Sequence, residues 1–176
     1  IDILGPDDSP LSSGEIGEVV VRGPNVMQGY WNKPEQTAAV LVDGAYWTGD
    51  LGYMDEQGYV FLVDRSKDMI VTGGENVYCT EVEEALYQHP AILEAAVFGV
   101  PDDKWGEAVW AVIVPREGSE LEPAQVIEFC RERIAGYKVP KGIDVQLEPL
   151  PKSGPGKVLK RELRAPHWEG QERSVN

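Results

Sequence analysis

The sequence predicts an α+β fold in two parts, a β-rich stretch followed by a small α+β unit. Three observations predict it. Over residues 1–64 short apolar runs are separated by clusters of Gly, Pro, Asp and Ser, which is strand and turn chemistry. After Arg65, segments of helical period alternate with β-branched runs of strand length. The 176 residues, 42% hydrophobic and 26% charged, suffice to bury about 70% of the unfolded surface, so a core needs no staples.

The elements follow in order. Glu18 to Arg22, bounded by Gly17 and Gly23, reads as a strand. Pro34 to Val42 offers Pro at a first helical position and one or two helical turns. A loop carrying Gly44, Gly49 and Gly52 is expected next, and Asp55-Glu56-Gln57-Gly58 then turns a hairpin between Gly52–Met54 and Tyr59–Val63. In the second part Thr80-Glu81-Val82-Glu83 has the form of a capping box opening a helix that Pro90 stops near His89. Ile92–Val100 and Ala108–Val114 read as strands joined at Pro101–Lys104. A second helix starts at Glu122-Pro123, with Val126, Ile127, Cys130 and Ile134 on one face and Gly136 placed for a left-handed cap. Ile143–Leu147 alternates like a last strand, and the polar tail 169–176 is expected to be disordered. The parts are thus 1–64, a boundary at 65–67 that is polar and free of Pro and Gly, and 68–168.

Composition excludes several functions. Thirty acidic residues against 16 basic give a net charge of −14, which repels nucleic acid and anionic lipid. Cys79 and Cys130 have no paired or metal-like spacing, which fits a reduced, cytoplasmic setting. No apolar stretch approaches the roughly 20 residues of a membrane span, and no export signal opens the chain. Because it begins with Ile1, the chain is expected to be a piece of a longer protein.

The positive charge is concentrated. Lys152–Arg164 holds five basic residues and one acidic one, net +4, which leaves 11 basic and 29 acidic residues, net −18, elsewhere. Within it Lys157 follows Ser153-Gly154-Pro155-Gly156, an approach with no bulky neighbour, suited to bringing an ammonium to a phosphate or carboxylate. The spacing fits a solvated basic helix equally well. It is not a P-loop, since Pro151 and Val158 stand where that motif needs Gly and Ser or Thr. Gly73-Gly74 permits close backbone approach to a ligand, or a tight turn. Thr48-Gly49-Asp50 presents a carboxylate able to accept two hydrogen bonds from a diol, or is an ordinary turn. Arg65, between Asp64 and Asp68, offers a planar fork to ribose or phosphate oxygens, or a surface ion pair. His89 reads as a helix-end residue, His167 lies near no nucleophile pattern, and the five Trp residues read as core and interface.

In order along the chain these pieces resemble the adenylate-forming, AMP-binding superfamily, which includes the acyl-CoA synthetases, peptide-synthetase adenylation domains and beetle luciferases. The segments that carry the resemblance begin at Gly14 (Gly-Glu-Ile-Gly-Glu-Val-Val-Val-Arg-Gly-Pro), Gly29 (Gly-Tyr-Trp-Asn-Lys-Pro-Glu-Gln-Thr), Tyr46 (Tyr-Trp-Thr-Gly-Asp-Leu-Gly), Asp64 (Asp-Arg-Ser-Lys-Asp-Met-Ile), Gly73 (Gly-Gly-Glu-Asn-Val-Tyr) and Pro151 (Pro-Lys-Ser-Gly-Pro-Gly-Lys). The variant looks most like fatty-acyl-CoA ligases. The resemblance implies a two-step reaction: a carboxylate attacks the α-phosphate of ATP to give an acyl-adenylate and pyrophosphate, then the thiol of CoA displaces AMP. It further implies that residues 1–64 end a large N-terminal domain and that 68–168 form a mobile lid.

Carried over residue by residue, Asp50 and Thr48 would serve ATP or AMP binding, Asp50 at the ribose hydroxyls, and Arg65 would meet the ribose or phosphates. Lys157 would be the catalytic lysine of the first step, Lys67 the hinge, and Gly73 and Gly74 the path of the pantetheine arm. Mg²⁺ would accompany ATP on ligands outside this chain. Ala45 and Cys79 depart from the family's usual Trp and Ser or Pro, at positions without a carried-over role. Two alternatives stay open: an adenylation domain loading a carrier protein, and a non-catalytic module binding CoA or a protein. Because the phosphate loop, adenine contacts and acyl tunnel are expected upstream of Ile1, the purified 176-residue chain should show no acid-dependent ATP–pyrophosphate exchange, and detectable exchange would refute that expectation.

Overall fold

The computed structural model describes residues 1–170. They divide into two compact units, Ile1–Lys67 and the chain from Asp68 onward. In the first, β1 (Asp2–Leu4), β2 (Gly17–Arg22), a short helix α1 (Pro34–Ala38), β3 (Leu41–Val42), β4 (Ala45–Met54) and β5 (Val60–Arg65) follow one another. The ten-residue β4 is the spine, pairing with β2, β3 and β5, all antiparallel, while β1 extends the sheet beyond β2. Leu4, Val20 and Ala45 are buried at its centre with Trp47 packed against them.

Two expectations for this unit are corrected. The helix expected over 34–42 stops at Ala38, and its β-branched end pairs as β3 with Ala45 and Tyr46. Of the glycine-rich stretch expected as a loop, Gly44 does lie in the turn before β4, but Gly49 and Gly52 lie within β4; Gly49, at φ 70°, takes up a bulge opposite β2, where the register shifts between Glu18 and Val20. The hairpin between β4 and β5 turns where the sequence places it, with Asp55 Oδ1 accepting the amides of Gln57 and Tyr59.

The second unit contains β6 (Ile70–Thr72), β7 (Glu75–Val77), α2 (Cys79–Tyr87), β8 (Ile92–Asp102), β9 (Gly106–Pro115), α3 (Pro123–Arg131), β10 (Gly142–Val145), α4 (Lys160–Arg164) and a 3₁₀ turn at Ala165–Trp168. Its sheet runs β10-β9-β6-β7, with β8 also on β9; only β10 is parallel to its neighbour. Alternate residues of β8 and β9 serve two cores. Ala95, Val97, Val109, Ala111 and Ile113 pack with Val82 and Leu86 of α2 and Val126 and Cys130 of α3. Ala96, Phe98, Val100, Ala108, Val112 and Val114 pack with Leu150, Val158 and Leu163 of the C-terminal segment. Burial on both faces is why these strands read as continuous apolar runs.

Further corrections concern helix ends. Helix α2 begins at Cys79 with Tyr78 as its cap residue, so Thr80 stands inside the helix and not at its cap, and Glu83 turns a carboxylate oxygen to the Val97 amide, 2.8 Å away on β8. Helix α3 ends at Arg131, and Gly136, beyond it, does not take the expected left-handed conformation. Strand β10 spans Gly142–Val145, so Gln146 and Leu147 fall outside it. Of the expected disordered tail, residues 171–176 lie outside the described ones, while Glu169 and Gly170 form a turn. Among the described residues no helix is long and apolar enough to cross a membrane.

Leu86 is fully buried between α2 and the sheet. Leu86→Ala should therefore lower the unfolding free energy by about 2–5 kcal/mol, read as a lower urea midpoint at unchanged slope.

Candidate functional site

In the first unit the structure brings Thr48, Asp50 and Arg65 together. The bulge in β4 is fixed by the Thr48 hydroxyl, which donates to Val19 O at 2.7 Å and accepts the Asp50 amide at 3.0 Å. Glu18 Oε1 accepts the Gly49 amide at 3.0 Å, and Gly49 O accepts that of Ser66 at 2.9 Å. Thr48 is thus a backbone brace. Asp50 and Arg65 are register partners on β4 and β5, and Arg65 Nε donates to Asp50 Oδ1 at 2.9 Å. The carboxylate is 29% and the guanidinium 46% exposed, so both retain an open side. A carboxylate held by one guanidinium edge keeps acceptor capacity for a diol, and the remaining fork of the guanidinium suits an oxyanion. Lys67 is the last residue of this unit.

Sequence reasoning missed the neighbouring phenols. Tyr46 is hydrogen-bonded to Tyr30, and that bond, then partial burial, then the nearby charges including Asp50, hold its phenol above the usual tyrosine range. The signal available was Tyr46 preceding Trp47-Thr48-Gly49-Asp50 on the same strand.

In the second unit Gly73 and Gly74 form the two-residue turn of the β6–β7 hairpin, with φ of 60° and 89°. That is the backbone a primed turn requires. Gly73 also permits a close approach, because a Cβ there would lie 2.7 Å from the Trp105 ring. Gly73, Thr72, Trp105, Tyr137 and Lys141 line a cleft of about 300 Å³; Gly74 faces open space. Lys104 Nζ stands 4.4 Å over the Trp105 ring. Lys138, beside Tyr137, is gripped by both Glu81 oxygens at 2.7 and 2.6 Å. Burial alone would lower Lys138, but its bonds to Glu81 outweigh that and raise it.

Lys157 sits exposed on a loop closed by the bridge between Lys152 and Val158. Ser153 N donates to Lys157 O and Gly156 N to Ser153 O, each at 2.8 Å. The basic segment divides by use. Lys152 pairs with Glu94 at 2.6 Å, Lys160 with Glu83 at 2.8 Å and Arg164 with Asp68 at 4.0 Å. Among the described residues no carboxylate lies within ion-pair distance of Lys157. The segment is therefore neither a loose solvated helix nor uniformly available to an anion.

The remaining candidates are structural. His89 stacks edge-on against Phe129 with ring centroids 4.8 Å apart, as a helix-end residue should, and His167 lies 3.6 Å from Asp144 between Phe98 and Trp110. Trp47 and Trp110 pack against the cores, but Trp31, at 89% exposed, does not. Cys79 and Cys130 are buried thiols, Cys79 donating to Asp68 O at 3.0 Å, and burial pushes the Cys130 thiol up to about 11. Among the described residues no three metal-ligating side chains converge.

Residues 81–157 match the AMP-binding enzyme C-terminal domain family. The chain is 49% identical over 164 residues to a feruloyl-CoA synthase from an Amycolatopsis species, covering 93% of this chain and 33% of the relative. It is 54% identical over 149 residues to a long-chain-fatty-acid–CoA ligase of Bacillus subtilis strain 168, covering 85% of this chain and 26% of the relative. The crystal structure of ATP-bound MatB from Rhodopseudomonas palustris superposes with a TM-score of 0.87 at 40% identity, covering 94% of this chain and 33% of that one. The chain thus spans a quarter to a third of the length of the curated relatives it matches.

The Glu94 pair has a pH signature. The Lys152 ammonium, helped by the Leu150 amide and opposed by partial burial, holds the Glu94 carboxyl below its ordinary value of 4.5. A depressed carboxyl stabilises the fold above the unfolded value and loses that contribution as pH falls through the folded one. The stability deficit of Glu94→Gln, measured by urea titration, should accordingly be constant above about pH 5 and shrink toward pH 3.

Proposed function

The chain belongs to the AMP-binding, adenylate-forming enzymes, and from that premise we propose that the protein it comes from is an ATP-dependent acyl-CoA synthetase. Its substrate would be a fatty or other apolar carboxylic acid. In the first step a carboxylate oxygen bonds to the α-phosphorus of ATP as the bond to pyrophosphate breaks. In the second the CoA sulfur bonds to the acyl carbon and AMP leaves, its proton passing to solvent.

The observation that carries this reading is the division of the basic segment, in which the flanking cations are engaged and Lys157 alone occupies the loop crown, next to Gly156. Two anions, the acid and the triphosphate, must meet in the first step. An ammonium between them offsets their repulsion and the charge developing at phosphorus. Asp50 would accept the ribose hydroxyls and Arg65 would hold ribose or phosphate oxygens, with Thr48 bracing the bulge beneath them. Lys67 would be the hinge about which the second unit moves between the two steps, with ATP, CoA and the acid as partners and Mg²⁺ bound with ATP elsewhere.

CoA rather than a carrier protein is supported by the relatives, a feruloyl-CoA synthase and a long-chain-fatty-acid–CoA ligase. The cleft beside Gly73 supports it as well. Its backbone wall leaves room for a thin thiol-bearing arm, and Trp105, Tyr137 and Lys141 offer stacking and a positive charge of the kind a nucleotide takes.

In the whole enzyme, Lys157→Ala should lower acid-dependent ATP–pyrophosphate exchange by about 10²- to 10³-fold. Thioester formation from preformed acyl-adenylate should persist. Unchanged exchange in this variant would overturn the reading.

A further inference from the structure

The loop that carries Lys157 has two legs, and each ends on a carboxylate belonging to another element. On the incoming leg Glu94 of β8 uses both oxygens: Oε1 takes the Lys152 ammonium at 2.6 Å and Oε2 accepts the Leu150 amide at 3.0 Å. On the outgoing leg Glu83 of α2 takes the Lys160 ammonium at 2.8 Å, both side chains being only 17% exposed. The same Glu83 oxygen accepts the Val97 amide at 2.8 Å. Val97 and Glu94 lie three residues apart on β8, so the two grips meet on one strand. Between the legs, Leu150 and Val158 are set into the apolar face of the sheet, and the bridge from Lys152 to Val158 closes the loop. The crown is left as Ser153-Gly154-Pro155-Gly156 with Lys157 exposed.

From this juxtaposition we infer that Glu94 and Glu83 are positioning residues for Lys157, fixing the backbone from which its ammonium is presented during acyl-adenylate formation. The inference rests on the reading of Lys157 as the lysine of that step. Each carboxylate acts through a second lysine of the same segment, Lys152 for Glu94 and Lys160 for Glu83. Geometry is what the arrangement controls, and displacement of a reacting or stabilising group by about 1 Å can cost up to 10²-fold in rate. A half-exposed pair such as Glu94–Lys152 should give less, about 5- to 20-fold. The more buried Glu83 pair should give more and also cost stability, since removing one partner leaves Lys160 desolvated.

The test uses the whole enzyme and separates the two half-reactions. Glu94→Gln keeps an oxygen for the Leu150 amide and removes the charge; Lys152→Gln removes the other partner. Each should lower ATP–pyrophosphate exchange about 5- to 20-fold through kcat, with KM for ATP unchanged and thioester formation from preformed acyl-adenylate retained. The double variant should be no slower than either single one, because the loss belongs to the pair. Exchange equal to the parent in both single variants, while Lys157→Ala abolishes it, would overturn the inference and leave the role of Lys157 standing. An equal fall in both half-reactions, tracking a lowered Tm, would assign Glu94 a structural role only and also overturn it. Normal exchange in Lys157→Ala would instead remove the reading beneath it.

Discussion

The second unit depends on one constraint: the β8–β9 hairpin is apolar on both faces and neither face tolerates water. Helices α2 and α3 cover one side, where Leu86, Val82, Val126 and Cys130 meet the odd-numbered residues of the strands. The other side is left to residues 150–168, a loop followed by the short α4 and a 3₁₀ turn, which lay Leu150, Val158 and Leu163 onto Phe98 and Val112. At about 25 cal/mol per Å² of apolar surface, this coverage outweighs the ion pairs that accompany it. The position of the Lys157 loop is therefore set first by hydrophobic burial. The charged contacts then fix its register, which burial alone leaves free to slide.

That order explains how an acidic protein carries a basic segment on its surface. A stretch of net +4 in a chain of net −14 is attracted to carboxylates in general, and nonspecific attraction does not specify a geometry. Specificity comes from Glu83 and Glu94 being held by backbone amides before they meet a lysine. Each carboxylate is already oriented, so little entropy is lost in the pairing. Glu83 has a second duty at the free edge of β8, where it and the Tyr87 hydroxyl occupy amides that would otherwise offer an open strand edge.

The fold was legible wherever a pattern had only one physical outlet. The β8 and β9 runs, the Asp55–Gly58 turn and the apolar face of α3 follow from periodicity and turn chemistry. The errors fell where a local preference met a tertiary competitor. Thr80 and Glu83 have capping-box spacing, but the Val97 amide and the Lys160 ammonium are partners for Glu83 that only the folded chain provides. Gly44, Gly49 and Gly52 look alike as loop punctuation, yet only Gly44 turns the chain, between β3 and β4; Gly49 is absorbed as a bulge and Gly52 is paired on both edges of β4. Of the site, the Asp50 and Lys157 motifs could be read by resemblance, whereas Trp105, Tyr137 and Lys141 could not. Trp105 lies more than 30 residues from Tyr137 and Lys141, and the three line one cleft where Gly73 lets the Trp105 ring close against the backbone.

In the role proposed for Lys157, lysine is an expensive choice for a group that would have to be placed accurately, since freezing its side chain costs about 2 kcal/mol of rotamer entropy. A flexible backbone beneath it would add about 1–2 kcal/mol for each residue that had to be ordered at the moment of reaction. The structure confines the disorder to the side chain. The loop legs are fixed by the bridge at Lys152 and Val158, by the Leu159 amide bonded to Pro151 O at 2.8 Å, and by the two carboxylates. The crown meanwhile uses Pro155 to limit φ and Gly156, at φ 88°, to close the turn. The ammonium remains free to exchange water for an anion while the chain that carries it has nothing left to order.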